Sequence, residues 1–312
     1  MRLEHCLPEN LRGPSATITP IAAGMSGAGV YRIDAGDQAW VLKISRADEP
    51  LDTWQNRLQI RQRAAEAGVT PRVVHADEAR RAIVTAFVAD RSFPEFYGDP
   101  RTREAAVAQL GRMIRSVHGI AAPERTEASD PRSVLATTWS QLTDGFEIPA
   151  FVREVFERVN AEPPPPPQRP SVLSHNDVNP SNVVYDGERM QLIDWDVAGR
   201  NDPFYDLAAI AVFLRMDDET SRRLLSAYEG ETVSRIPPRF SYNRRLIATL
   251  CGTMFLHLAR AAGHAGSTTE ALESATALGE IHQRMRTGTI TLASAEGRWE
   301  LGLALIKEAA SS

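Results

Sequence analysis

The hydrophobic pattern changes period once along the chain, near residue 90, and that change limits the fold more than any other feature. Before it, residues 16–19, 29–33, 40–44, 73–76 and 82–88 are short runs of β-favouring character. Glycine-rich residues 24–29 and a turn at residues 34–37 break the first three runs apart. One helical stretch, residues 51–67, sets Leu51, Trp54, Leu58 and Ala65 near one face, and Gly68 is placed to stop it. After the change, residues 102–118, 149–159, 205–216, 218–228, 242–262, 268–285 and 297–309 read as helices. Short strands are expected at 171–174, 183–185 and 191–193, and five consecutive prolines, 163–167, make an extended connector. The expectation is an α+β, bilobal chain: a small β-rich lobe with one helix over residues 1–88, then a mainly helical lobe over residues 89–312.

With 312 residues, 43% of them hydrophobic, the chain has enough apolar material for a packed core and is not a disordered one. No apolar run reaches the roughly 18 residues that a membrane span needs, and the first twenty residues lack an apolar signal core. A net charge of -5 gives no nucleic-acid footprint. Two cysteines, Cys6 and Cys251, make neither a disulfide framework nor a cysteine metal site. A soluble, cytoplasmic protein with no membrane or nucleic-acid partner is expected; the oligomeric state is not legible.

Three segments carry chemistry. In the first, Gly24, Gly27 and Gly29 let backbone N–H groups approach an anion closely, and Ser26 adds a hydroxyl donor. A flexible hairpin tip explains the same glycines. The second is Lys43, at the end of a strand and flanked by apolar residues. An inward ammonium there needs a negative partner such as a nucleotide phosphate, unless it snorkels from an edge. Only Lys43 and Lys307 are lysine among 35 basic residues, which singles out Lys43 further. The third is the run from His175 through Asp177 to Asn182, followed twelve residues later by Asp194 and then Asp196. Carboxylate and amide oxygens suit Mg²⁺, which keeps waters and binds substrate phosphates. One further carboxylate near a substrate hydroxyl can accept its proton. Metal ligands, a base and a phosphate clamp are the parts that phosphoryl transfer requires. Asp and Asn also favour turns and caps, but that alone does not account for four such groups beside the upstream loop and lysine.

These residues resemble the choline kinase and aminoglycoside phosphotransferase superfamily. The resemblance rests on His175-Asn176-Asp177 with Asn182, and on Ile193-Asp194-Trp195-Asp196 running on to Asp206-Leu207-Ala208. Asn176 and Asp196 bring it nearer to the bacterial choline/ethanolamine kinase branch. The resemblance implies a protein-kinase-like fold, with ATP as co-substrate and Mg²⁺ as cofactor. It implies that Gly24, Ser26, Gly27 and Gly29 cover the phosphates and that Lys43 reaches them. Residues 86–88, with Ala86 and Val88, would be the inter-lobe connection and supply backbone hydrogen bonds to adenine. Asp177 would orient and deprotonate the acceptor, Asn182 and Asp194 would hold Mg²⁺, and Asp196 would face a cationic acceptor. His175 and Asp206 would be structural supports.

One departure stands out. The superfamily has a helix glutamate that pairs with the strand lysine; this helix offers Gln55, Gln59 and Gln62, with Glu66 later. Either Glu66 or Gln59 is expected to fill the role. His118 and His257 are expected in capping or core roles, and Cys251 is expected to be buried. Phe240, Tyr242, Phe255 and Trp299 are core residues that also have the chemistry to cage a quaternary ammonium. Residues 201–300 hold 12 acidic residues and 11 arginines, no basin for a polycation. A small kinase for choline or ethanolamine is the favoured reading. An aminoglycoside, other antibiotic, sugar or amino-acid kinase is the alternative within the class. A metal-dependent hydrolase and a silent nucleotide-binding module are the alternatives outside it.

Overall fold

β1 (Ala16–Pro20), β2 (Gly29–Ala35) and β3 (Gln38–Ile44) run antiparallel, and Gly36 turns the chain between the last two at φ +60°. α1 (Leu51–Glu66) follows and buries Trp54, Ile60, Arg61 and Ala64 on one face. It ends where Gly68 takes φ +73°, and the Val69 N–H then caps the Ala64 carbonyl at 3.0 Å. β4 (Val73–Asp77) and β5 (Ala82–Ala86) complete a five-stranded sheet of order β1-β2-β3-β5-β4. Ile33, Leu42, Ala82 and Val84 form one apolar cluster with Cys6, Leu7 and Leu11 from the N-terminal segment. Lys43 follows Leu42, so its side chain leaves the opposite face of the pleat.

The remaining elements are α2 (Phe93–Gly98), α3 (Arg103–His118), α4 (Pro131–Thr143), α5 (Ala150–Ala161), β6 (Val172–Ser174), β7 (Val183–Tyr185) and β8 (Met190–Leu192), then β9 (Gly199–Asn201), α6 (Pro203–Phe213), α7 (Asp218–Glu229), α8 (Pro238–Ala261), α9 (Leu278–Arg286) and α10 (Ala295–Ser311). β7 pairs with β8, and β6 pairs with β9. This computed structural model describes residues 3–13, 16–21 and 28–311. By its contacts the chain divides into two units. One is Met1–Glu127 with Val172–Arg200 and Ala227–Gly230; the other is Ala128–Ser171 with Asn201–Ser226 and Glu231–Ser312.

In the second unit the core is helical, built from α4, α5, α8, α9 and α10. α8 and α10 meet at Gly252 and Gly302, where a Cβ on either residue would lie 3.0 Å from the other's carbonyl oxygen. Only the absent side chains allow the two backbones to approach so closely. The polyproline segment is not a loose tail, because the Pro165 carbonyl accepts a hydrogen bond from Arg239. Tyr242 and Trp299 lie in this core with Phe255 packed against it, and Phe240 is fully buried, so core packing is the fate of these aromatics.

Three elements were not expected. α4 carries few apolar residues, but Asp130 accepts from the Ser133 N–H with Pro131 at the first turn, a legible start signal. α2 and β9 are too short to show a period. α9 begins at Leu278 rather than near residue 268, because Ser267 and Ser274 take up nearby backbone N–H groups and favour turns there. β5 stops at Ala86, so Phe87 and Val88 lie beyond the strand.

Candidate active site

The loop between β6 and β7 opens with His175, which is fully buried. Its Nε2 donates to the Ile193 carbonyl at 2.9 Å, and its ring meets Trp195 edge-on with centroids 4.8 Å apart. The imidazole therefore ties this loop to the segment that carries Asp194. Asn176 adds a second tie, donating from Nδ2 to the Val197 carbonyl at 3.0 Å. Asn176 and Asp194 both adopt the left-handed region, at φ +64° and +63°. Asn and Asp tolerate that region better than most residues, and such strain concentrates at functional sites.

Asp177 is held by two amides. Asn179 Nδ2 donates to its Oδ1 at 3.0 Å, and Asn182 Nδ2 donates to its Oδ2 at 2.7 Å. Burial pushes the Asp177 carboxyl above its ordinary value; the two amide hydrogen bonds and His175 offset this in part, while the nearby charge of Asp194 adds to it. Asn179 went unnoticed in the sequence. It also accepts from the Ser181 N–H, capping the 3₁₀ turn Pro180–Asn182, and an Asn-Pro pair is a recognisable signal for such a turn.

Lys43 connects this loop region to the sheet. Its Nζ lies 2.6 Å from Asp194 Oδ1 and 2.6 Å from Asp196 Oδ2. The Ile193 N–H donates to the Asn182 carbonyl at 2.9 Å, which brings the backbone carrying Asp194 alongside Asn182. β8 is itself anchored, because the Leu192 N–H bonds the Val69 carbonyl at 2.8 Å just beyond α1.

The helix partner of Lys43 is neither Gln59 nor Glu66. Both lysine contacts are carboxylates from the segment after β8, and α1 instead contributes Arg61, whose Nη2 is 3.5 Å from Asp196 Oδ1. Arg61 was missed because nothing in a helical pattern marks one arginine among several as buried. Asp196, which the resemblance sets facing a cationic acceptor, has two cationic partners in the structure, Lys43 and Arg61. Burial acts to raise its pKa, but the charge and hydrogen bond of Lys43 and the charge of Arg61 bring it below its ordinary value.

Gly29 begins β2, whereas Gly24, Ser26 and Gly27 lie outside the described residues. The Ala86 N–H donates to the Arg72 carbonyl at 2.9 Å at the end of β5. Val88 follows just beyond β5. Asp206 is fully buried in α6, in the second unit. One carboxylate and one amide oxygen suit an Mg²⁺ that takes its other ligands from water and phosphate. The ammonium already against Asp194 shows that this carboxylate receives a cation. Asn182 gives its Nδ2 to Asp177, so Oδ1 is the atom it could offer a metal. The donor set fits the ion.

The family model described as "Phosphotransferase enzyme family" matches residues 17–239 of this chain. The chain belongs to that family. Protein LicA of Haemophilus influenzae is 36% identical to this chain over 58 residues, covering 19% of this chain and 22% of LicA. The match thus spans about a fifth of that relative's length. A choline/ethanolamine kinase family protein from Mesorhizobium loti superposes with a TM-score of 0.60 at 21% identity, covering 97% of this chain and 93% of that one. Macrolide 2'-phosphotransferase MphH from Brachybacterium faecium superposes with a TM-score of 0.58 at 21% identity, covering 80% and 88%. The fold is the protein-kinase-like α+β fold of these phosphotransferases. Among the described residues, no helix is long and apolar enough to cross a membrane.

Proposed function

We propose that this phosphotransferase-family chain is a small-molecule kinase that moves the γ-phosphoryl group of ATP onto a hydroxyl, with Mg²⁺ as cofactor. The preferred acceptor is a cationic amino alcohol such as choline or ethanolamine. The observation that carries the reading is Asp177, fixed by two amide donors beside Asp194, while Lys43 lies on that same Asp194.

Each part has a task in this reading. Asp177 orients the acceptor hydroxyl and takes its proton as the oxygen attacks phosphorus and the bond to the leaving ADP breaks. Its raised pKa brings it closer to a useful base strength. Asn182 and Asp194 would hold the metal, which when bound neutralises phosphate charge. Lys43 neutralises phosphate charge from the β3 side. Gly24, Ser26, Gly27 and Gly29 cover the phosphates, and Ala86 and Val88 border the adenine. Asp206 is a structural support in this reading. The functional division into a nucleotide lobe over residues 1–88 and an acceptor lobe over 89–312 belongs to the same proposal.

The likeness to a choline/ethanolamine kinase family protein supports the amino-alcohol acceptor, and the likeness to a macrolide phosphotransferase favours an antibiotic as the competing class. ATP turnover across a panel of choline, ethanolamine, macrolides, aminoglycosides and simple sugars tests both. ADP release that depends on choline or ethanolamine supports the reading. Turnover with an antibiotic alone moves the substrate to that class, and no acceptor-dependent turnover removes the kinase reading.

A further inference from the structure

We propose that Asp196 and Arg61 are positioning residues for the phosphate-binding lysine: Asp196 holds Lys43, and Arg61 fixes Asp196 to helix α1. The inference rests on the kinase reading above, in that it takes Lys43 to face nucleotide phosphate.

Four charges meet here, Lys43 and Arg61 against Asp194 and Asp196. The two oxygens of Asp196 are divided: Oδ2 takes Lys43 at 2.6 Å and Oδ1 faces Arg61 at 3.5 Å. Arg61 is only 8% exposed, on the same helix face as Trp54, Ile60 and Ala64. A buried guanidinium needs a carboxylate, and removing that carboxylate leaves an uncompensated charge. The arginine therefore commits Asp196 to the sheet side of the site.

Binding of Mg·ATP changes the partners unequally. In the proposed assignment Asp194 would hold the metal, which would neutralise phosphate charge, and Lys43 would face phosphate. Asp196 does not have to let go, since its second oxygen is paired with Arg61 and it bears no metal in this assignment. It can thus keep its hold on the Lys43 ammonium when nucleotide is bound. A helix carboxylate would serve the same purpose directly. In this chain the helix supplies a cation, and the carboxylate comes from the segment after β8. Coupling of α1 to the lysine is kept, with the charge order inverted.

The test measures Kd for an Mg²⁺-loaded non-hydrolysable ATP analogue, together with KM for ATP and for the best acceptor of the panel. Arg61→Ala and Asp196→Asn should each weaken analogue binding by about tenfold while acceptor KM stays within about twofold, as expected when one partner of a buried pair is removed. The double variant should bind no worse than the weaker single one, because both break the same linkage. Arg61→Lys and Asp196→Glu should recover part of the loss. Melting temperatures within a few degrees of the parent identify variants whose binding can be compared. If Arg61→Ala does not fold, Arg61→Lys and Asp196→Asn carry the comparison. The proposal is overturned if Asp196→Asn raises acceptor KM and leaves nucleotide binding intact, which assigns that carboxylate to the acceptor. Additive losses in the double variant overturn it too. A parent that binds the analogue but turns over no acceptor removes the kinase reading alone. A parent that binds no nucleotide removes both.

Discussion

Asn182 holds Asp177 twice: its Nδ2 donates 2.7 Å to the Asp177 carboxylate and 2.9 Å to the Asp177 main-chain carbonyl. In the proposed reading one side chain thus links the base, Asp177, to the metal site, and substitutions at Asp177 and at Asp194 should be separable by readout.

Asp177→Ala should lower kcat by roughly 10²-fold or more, the usual contribution of a positioned acid or base. Nucleotide affinity, measured by calorimetry without acceptor, should stay within a few-fold, because in the proposed reading Asp177 acts on the acceptor. Near-parental turnover would take the base role away from it.

Asp194→Asn should raise the Mg²⁺ concentration needed for half-maximal turnover, since an amide is a poorer ligand than a carboxylate for a hard dication. Asn is a well-chosen replacement here, because the position sits at φ +63° and Asn tolerates the left-handed region. A loss of activity with an unchanged Mg²⁺ requirement would count against the metal role.

Gly252→Ala and Gly302→Ala should each destabilise the helical core by about 1–3 kcal/mol, the range for forcing a methyl into a packed interface. In both cases the new Cβ would also meet a side chain at 2.8 Å, Ile306 for Gly252 and Leu256 for Gly302. Urea unfolding followed by fluorescence reads the change, and no loss for either variant would show that the helices part easily.

His282 should make stability fall as pH drops. Burial, with Arg215 and Arg286 nearby, lowers its folded pKa below the ordinary value of about 6.5. Below that value the unfolded chain takes up a proton more readily than the folded one, so stability is fully present above it and is lost as pH falls toward the folded pKa. His282→Gln should flatten the slope of melting temperature between about pH 7 and 5 relative to the parent. Identical slopes would show that this imidazole is not the titrating group.

Much of the architecture was legible because it depends on neighbours in sequence. β-branched runs with Gly36 and Gly68 between them gave β2, β3 and α1 nearly residue for residue, since turns and helix stops are properties of a few adjacent dihedral angles. The catalytic segment was legible for a related reason: the residue types in His175 to Asn182 and at Asp194 have few chemical uses at that spacing. What sequence could not supply is who meets whom. Lys43 and Asp194 are separated by 151 positions, and Arg61 reads as one more exposed helix arginine until α1 packs and buries it. An ion pair forms where two backbones converge, and no local period encodes that convergence. The Gly252–Gly302 contact follows the same rule, for each glycine costs its own helix stability and is repaid only when the facing helix arrives. Residue chemistry determined which groups this chain can bring to phosphoryl transfer. The tertiary structure alone decided that Asp196 would stand beside the lysine, paired with it and with Arg61, because burial made that pairing obligatory.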